Sequence, residues 1–64
     1  MDLKARILFF LKNSKDHQMS VTALKNAVNN HTWMYEEALK ELVSDGLIVK
    51  KVETIAAYWR VVVQ

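Results

Sequence analysis

We expect a small, mainly α-helical domain that ends in a β-hairpin. Three stretches of the 64 residues place apolar side chains three and four positions apart, which is the spacing of one helix face. From Leu47 onward the spacing shortens to about two, and the residues become β-branched or aromatic, as in strands. No repeat, linker or low-complexity segment divides the chain, so residues 1–64 are expected to form a single domain.

The composition is that of a folded protein with a core. Hydrophobic residues make up 52% and charged residues 25% of the chain, which argues against disorder. Without cysteine, the chain holds neither a disulfide nor a thiolate metal site. No apolar run approaches the roughly 18–20 residues of a membrane span, and residues 7–11 are too few for a signal peptide. We therefore expect a soluble, cytoplasmic protein with no membrane partner.

The first predicted helix covers residues 2–12. Its apolar side is broad and consists of Leu3, Ile7, Leu8, Phe9, Phe10 and Leu11. Its outer face is expected to carry the basic residues Lys4, Arg6 and Lys12. A side this broad needs contact with more than one element, which suits the central helix of a three-helix fold.

A polar loop and a second helix follow. Residues 13–17 are rich in turn formers and lack periodicity, and residues 18–19 are expected to form a short strand. Ser20 can cap a second helix that runs from Val21 to about Asn29. The expected inward residues are Leu24, Ala27 and Val28, and the expected outward residue is Lys25. An Asn pair then makes the turn, because Asn tolerates left-handed backbone geometry.

The third predicted helix occupies residues 32–46. Thr32 can cap its start, since a Thr oxygen accepts from the free N–H groups of the first turn. Gly46, the only glycine, ends it, because the residue just past a helix often needs a positive φ. The apolar stripe consists of Tyr35, Ala38, Leu39, Leu42 and Val43. Trp33 lies roughly opposite the centre of that stripe, so we expect it to be at least partly exposed.

Two strands of a hairpin, residues 47–52 and 57–63, are expected after Gly46. The link, residues 53–56, holds no Gly, Pro or Asn, so its turn type does not follow from the sequence. By alternation, the inward face is expected to carry Trp59, Val61 and Val63, and the other face Tyr58, Arg60 and Val62. The last strand is flat and β-branched, so we expect its edge to be available for strand pairing or dimer packing unless the first helix covers it.

This order of elements resembles the winged helix-turn-helix family, which has three helices and an antiparallel wing. Residues 20–24, Ser-Val-Thr-Ala-Leu, and residues 38–48 are similar to the sequence pattern common in that family, and the match covers nearly the whole chain. The small size and Ala57-Tyr58-Trp59 resemble the short bacterial fimbrial-operon regulators of the PapI type. That resemblance implies DNA binding and transcription regulation together with a larger partner protein.

Charge is distributed unevenly along the chain. Residues 32–46 hold one lysine and four carboxylates, and the rest holds eight basic and three acidic residues, so the net charges are −3 and +5. In a DNA complex the first turns of the third helix would enter the major groove. The expected DNA-binding residues are Lys25, Thr32, Trp33, Met34, Glu37, Lys40, Lys50 and Lys51. Because carboxylates repel phosphates, we expect help from a dimer or a partner protein.

Protein interaction is a second function that fits the same helix. Its acidic face, with an exposed Trp and Met, would dock on a basic or apolar partner, as an inhibitor or adaptor does. The expected protein-interface residues are Trp33, Met34, Glu36, Tyr58 and Val62. Two purely structural alternatives stay open. Trp33 packs back onto the second helix or the wing, or the charges form an ordinary solvated face with Glu36 and Lys40 paired at i,i+4.

No catalytic chemistry is visible in the sequence. The two histidines, His17 and His31, fall in predicted turns, and no spacing places two metal ligands on one face. A single glycine cannot form a Gly-rich phosphate loop. Ser14, Asp16 and His17 are close in sequence, but they fall in a predicted loop without an oxyanion site. We expect a protein that is not an enzyme and that uses no cofactor, metal or small-molecule substrate.

Overall fold

Three α-helices and a three-stranded antiparallel sheet form residues 2–62, the part of the chain that the computed structural model describes. The helices are α1 Leu3–Lys12, α2 Val21–Val28 and α3 Trp33–Ser44. The strands are β1 Gln18–Ser20, β2 Ile48–Val52 and β3 Ala57–Val61. The expected mainly α domain with a hairpin is instead a mixed α/β fold, because β1 joins the hairpin as a third strand.

The last strand, β3, is the centre of the sheet. It pairs with the whole of β2 on one side and with β1 on the other, where Met19 lies opposite Trp59. The expectation of a free edge along the last strand is therefore wrong for residues 58–60, whose two edges are both paired. Val63, which was expected to face inward, lies outside the described residues.

The hairpin reverses across Thr54 and Ile55. The N–H of Glu53 donates to the carbonyl of Ala56 at 2.7 Å and closes the turn. Ile55 is 96% exposed at its tip. None of these residues is the Gly or Asn that usually marks a tight hairpin turn, which is why residue types did not indicate the turn.

The core lies between the helices and one face of the sheet. Trp59, 8% exposed, and Ile48 form the sheet side of this core, which confirms that the Trp59 face points inward. The helices contribute Ile7, Leu11, Leu24, Val28, Tyr35, Ala38, Leu39 and Leu42. Val43, which was expected on the buried stripe, is exposed. It lies at the margin of that stripe, and α3 is covered on one side only.

Side-chain caps set the start of each helix. Asp2 accepts from the N–H of Ala5 at 2.8 Å, and Ser20 accepts from the N–H of Ala23 at 3.1 Å. Thr32 caps α3, as described below. Caps at Ser20 and Thr32 are therefore confirmed. Each such cap contributes about 1 kcal/mol, because it satisfies a backbone donor that the helix leaves free.

Two left-handed residues end α2 and α3. Asn29 has φ 55° and ψ 43°, which confirms the expected Asn turn, although α2 itself ends at Val28. Gly46 has φ 74°, which confirms its expected positive φ. Its N–H donates to the carbonyl of Val43, and the N–H of Leu47 donates to the carbonyl of Leu42, both at 3.0 Å. This Schellman arrangement satisfies the last carbonyls of α3 and turns the chain toward β2.

Arg6 ties α1 to the end of α2. Its Nη2 donates to the carbonyl of Val28 at 2.6 Å, and the residue is half-buried. The expected outer-face position of Arg6 is therefore wrong. A positive side chain at the carboxyl end of α2 also complements the dipole of that helix.

The predicted polar loop contains one 3₁₀ turn, Lys15–His17. Asp16 and His17 have positive φ values of 59° and 54°. The hydroxyl of Ser14 donates to the carbonyl of Phe10 at 2.7 Å, and His17 Nδ1 lies 3.0 Å from the carbonyl of Lys12. These hydrogen bonds lie at the end of α1 and fix the turn that precedes β1.

Candidate functional site

A short, hydrogen-bonded turn joins α2 to α3. The side-chain oxygen of Asn30 accepts from the backbone N–H of Thr32 at 3.0 Å and from its hydroxyl at 2.6 Å. The same hydroxyl accepts from the N–H of Met34 at 3.3 Å. Thr32 is exposed, but its hydroxyl already has two partners, so a DNA phosphate would have to compete with them.

The first turn of α3 leaves two large apolar side chains in solvent. Trp33 is 73% exposed and Met34 is 52% exposed. The expectation that Trp33 is exposed opposite the buried stripe is confirmed, and the alternative in which it packs back onto the domain is wrong. Single exposed apolar residues are ordinary on protein surfaces, but adjacent large ones mark interaction sites.

The exposed side of α3 is acidic on both flanks. Glu36 lies on one flank and Glu37 with Glu41 on the other, and all three are exposed. Lys40 is the single basic residue of the helix, and its Nζ lies 3.8 Å from the carboxylate of Glu37. This i,i+3 pair forms where the sequence suggested Glu36 at i,i+4. An exposed pair contributes only about 0–1 kcal/mol, but it offsets the one positive charge of the helix.

A groove of about 350 Å³, which we call the α1–α3 groove, lies between the start of α1 and α3. Its apolar lining consists of Leu3, Trp33, Met34 and Ala38. Its charged lining consists of Asp2, Lys4, Glu37 and Glu41. Helical periodicity indicated the exposure of Trp33 and Met34. It missed residues 2–4, because only the packing of α1 beside α3 brings them to the same place.

The two lysines of the hairpin point to opposite faces of the sheet. Lys50 lies opposite Trp59 on the helix side, and its Nζ is 5.6 Å from the ring centroid. Lys51 lies opposite Tyr58 on the outer face. Lys50 and Lys51 therefore do not form one continuous patch, and Lys25 on α2 is half-buried.

The outer face of the sheet carries the other predicted interface residues. Tyr58 on β3 is half-buried, as is Val62 just past that strand. Arg60, between them, lies opposite Val49 and Gln18. Its Nε is buried without a hydrogen-bond partner in the described part of the chain. Because residues 58–60 of β3 are paired on both sides, this face offers their side chains to a partner but no free edge at those residues.

One ionisable group of the core has a shifted pKa. Tyr35 is 1% exposed. Burial raises the pKa of its hydroxyl from 10.0 to about 12, and the neighbouring Glu36 carboxylate adds to the rise. Within residues 2–62 the hydroxyl has no hydrogen-bond partner. Tyr35 is therefore neutral at physiological pH and shielded from solvent, which makes it a packing residue.

The described residues hold neither a metal-binding cluster nor a helix that could cross a membrane. No three His, Cys, Asp or Glu side chains in the described chain lie close enough together to hold a metal ion. His31 is exposed in the turn before α3. Among residues 2–62 no helix is long and apolar enough to span a bilayer.

Within residues 2–62 four surfaces are accessible to a partner: the first turn of α3, the α1–α3 groove, the hairpin and the outer face of the sheet. Each is defined by its geometry and charge alone. Comparisons of this chain with protein-family models, with curated proteins and with solved structures find no match.

Proposed function

We propose that this chain is a winged helix-turn-helix protein that binds duplex DNA and regulates transcription in the cytoplasm. The observation that carries the proposal is the α2–turn–α3 segment, which presents the exposed first turn of a 12-residue helix. The sheet order β1-β3-β2 and the position of β1 between α1 and α2 support it. In this arrangement α3 enters the major groove and the β2–β3 hairpin is the wing.

The start of α3 supplies the groups that would meet the bases. Thr32, Trp33 and Met34 stand at the positive end of the helix dipole, which favours nearby phosphate oxygens. Trp33 or Met34 can contact a thymine methyl group, Lys40 can donate to guanine, and Glu37 can accept from cytosine N4. A good contact to a base edge discriminates by about 1–3 kcal/mol.

Affinity for the DNA backbone would come from outside α3. Residues 32–46 carry a net charge of −3, and the rest of the chain carries +5. The lysines available for phosphates are Lys12, Lys15, Lys25, Lys50 and Lys51. Because the carboxylates of α3 oppose these contacts, one copy would hold DNA weakly. We therefore propose that the chain acts as a dimer or with a partner protein.

The salt dependence of binding to a random duplex tests this proposal. Affinity should fall steeply as salt rises. Lys50→Ala and Lys51→Ala are measured separately, because the two side chains lie on opposite faces of the sheet. The variant that loses a phosphate contact should lower the slope of log K against log salt by about 1, since each contact contributes roughly 0.9. Ile55→Ala, at the exposed hairpin tip, changes no charge and is the control that should leave the slope unchanged.

Neutralising carboxylates of α3 should strengthen duplex binding, whereas removing lysines should weaken it. Glu36→Gln with Glu37→Gln should tighten duplex binding, since two groups that repel phosphates are removed. A gel-shift or anisotropy titration at low salt measures this. The DNA proposal is wrong if the wild type shows no duplex binding at low salt, or if the Gln variant binds more weakly.

Protein interaction through α3, as an inhibitor or adaptor, is the second candidate function. The 73% exposure of Trp33 favours it, because interface anchors are enriched in Trp. In this case Glu36→Gln with Glu37→Gln would weaken binding of the partner. Neither candidate requires a catalytic site or a cofactor.

A further inference from the structure

We propose that the α1–α3 groove binds a basic amphipathic helix of a partner protein. This inference rests on the second candidate function, to which it adds the chemistry of the partner, and it does not depend on DNA binding. The partner helix would place apolar side chains against Leu3, Trp33 and Met34. Its Lys or Arg side chains would lie beside Glu37 and Glu41.

The shape of the groove suits the side chains of a helix. Its volume is about 350 Å³, and it is open to solvent. The walls are α1 and α3, so a third helix can lie along them as in other helix-in-groove complexes. On α3 the lining residues Trp33, Glu37 and Glu41 follow one another by four positions, about one helical turn each.

Trp33 is the apolar anchor of the groove. Trp33 and the neighbouring Met34 both line it, and both are more than half exposed in the free chain. A Trp ring offers a large apolar surface and a face that attracts a cation. An occupant that presents apolar and basic side chains together would use both properties.

The charge of the groove selects a basic occupant. Asp2, Glu37 and Glu41 stand against Lys4, which leaves a net charge of −2. Asp2 also caps α1, and Glu37 also lies 3.8 Å from Lys40, so a partner's cations would share these carboxylates. Complementary charge steers the encounter and disfavours an acidic helix as the occupant of the groove.

A second copy of this chain is a poorer occupant. In the described residues the buried apolar stripes of α1, α2 and α3 face the monomer's own core, and Phe9 is the one large apolar side chain of α1 that is exposed. A copy therefore has no unpartnered amphipathic helix to insert. Self-association through the groove is an outcome that would overturn the proposal.

Two matched peptides test the inference on the intact chain. One is a labelled Leu/Lys amphipathic peptide of about 14 residues, roughly four helical turns, and the other has Glu at every Lys position. Fluorescence anisotropy measures binding at low and high salt. The Lys peptide is expected to bind and the Glu peptide is not. Trp33→Ala should weaken binding about tenfold or more, which corresponds to about 1.4 kcal/mol.

Charge variants distinguish binding at the groove from attraction by the overall surface charge. Glu37→Gln with Glu41→Gln should weaken binding of the Lys peptide about fivefold or more. Asp16→Asn with Glu53→Gln removes the same number of exposed charges outside the groove lining, and should change binding by less than about twofold. Equal effects of the two pairs would overturn the inference, because binding would then follow overall charge.

An apolar control distinguishes an anchor from any exposed hydrophobic residue. Ile55→Ala truncates the 96% exposed side chain at the hairpin tip and should leave peptide binding unchanged. The inference is overturned if Ile55→Ala and Trp33→Ala weaken binding equally, or if the Lys peptide does not bind. It is also overturned if sedimentation shows a dimer of the free chain that Trp33→Ala dissolves.

Two parallel measurements keep the proposals apart. Duplex binding by the same variants decides the DNA proposal, whatever the peptides show. A partner recovered from nuclease-treated native extract that depends on Glu36 but not on Trp33 would overturn the groove inference. That result would leave the broader protein-interaction function standing.

Discussion

Removing the Tyr35 hydroxyl is expected to change how the fold responds to alkali. This hydroxyl is buried, has no hydrogen-bond partner within residues 2–62, and has its pKa raised by burial from 10.0 to about 12. The folded state therefore favours the neutral phenol. The contribution of this group to stability is fully present below about pH 10 and is lost as the pH rises toward 12. Tyr35→Phe keeps the ring and removes the titration.

The size of the effect follows from the shift. The rise of the Tyr35 pKa from 10.0 to about 12 means that the folded state favours the neutral phenol over the ionised one by about 2.7 kcal/mol, relative to the unfolded chain. Because of this group, the unfolding free energy of the wild type should fall by about 1.4 kcal/mol as the pH rises from 9 to about 11. That loss is large for a small domain, whose general scale of stability is about 0.05–0.15 kcal/mol per residue. At neutral pH, Tyr35→Phe should be at least as stable as the wild type, because it removes an unpaired buried hydroxyl.

Urea unfolding followed by circular dichroism at the two pH values measures this difference. Other groups that titrate in alkali act on both proteins, so the comparison of wild type with variant isolates Tyr35. Tyr58→Phe is the matched control, because it removes a hydroxyl from the outer face of the sheet. If Tyr35→Phe loses as much stability as the wild type between pH 9 and about pH 11, the Tyr35 hydroxyl is not shielded from solvent, and its pKa is not raised by burial.

Three further substitutions test the packing by urea unfolding at neutral pH. Leu24→Ala empties a fully buried site and should cost about 2–5 kcal/mol, and a cost below 1 kcal/mol would mean that the core collapses around it. Gly46→Ala meets no atom within 4 Å, so its expected cost of about 1–2 kcal/mol is backbone strain at φ 74°, and an unchanged stability would contradict that origin. Arg6→Met keeps most of the aliphatic stem but loses the hydrogen bond to the Val28 carbonyl, so it should cost about 1.5 kcal/mol. An unchanged stability would mean that water takes the place of the guanidinium at this carbonyl.

Helix boundaries followed from residue types because they depend on neighbours within about four positions. Ser20 and Thr32 cap helices with their own oxygens, and Asn29 and Gly46 take the left-handed geometry that ends them. The inward face of Trp59 followed from strand alternation in the same way. These features needed no knowledge of distant contacts.

Membership of the sheet could not be predicted in the same way. β1 has three residues, which is too short for a clear periodic pattern, and its partners on β3 lie about 40 positions later in the chain. The contact of Arg6 with the Val28 carbonyl likewise joins two separate helices. Each depends on how helices and strands pack, so local spacing placed Arg6 outside and β3 at an edge.

The candidate site also has features that are local in the sequence and features that depend on the tertiary structure. The sequence alone determined that Trp33 and Met34 point away from the core and that α3 is acidic, because helical period and charge are local properties. Only the tertiary structure decided that Leu3 lies beside them to form a groove, because that requires α1 and α3 to pack with their starts together. Burial, which comes from the whole fold, likewise decided the pKa of Tyr35.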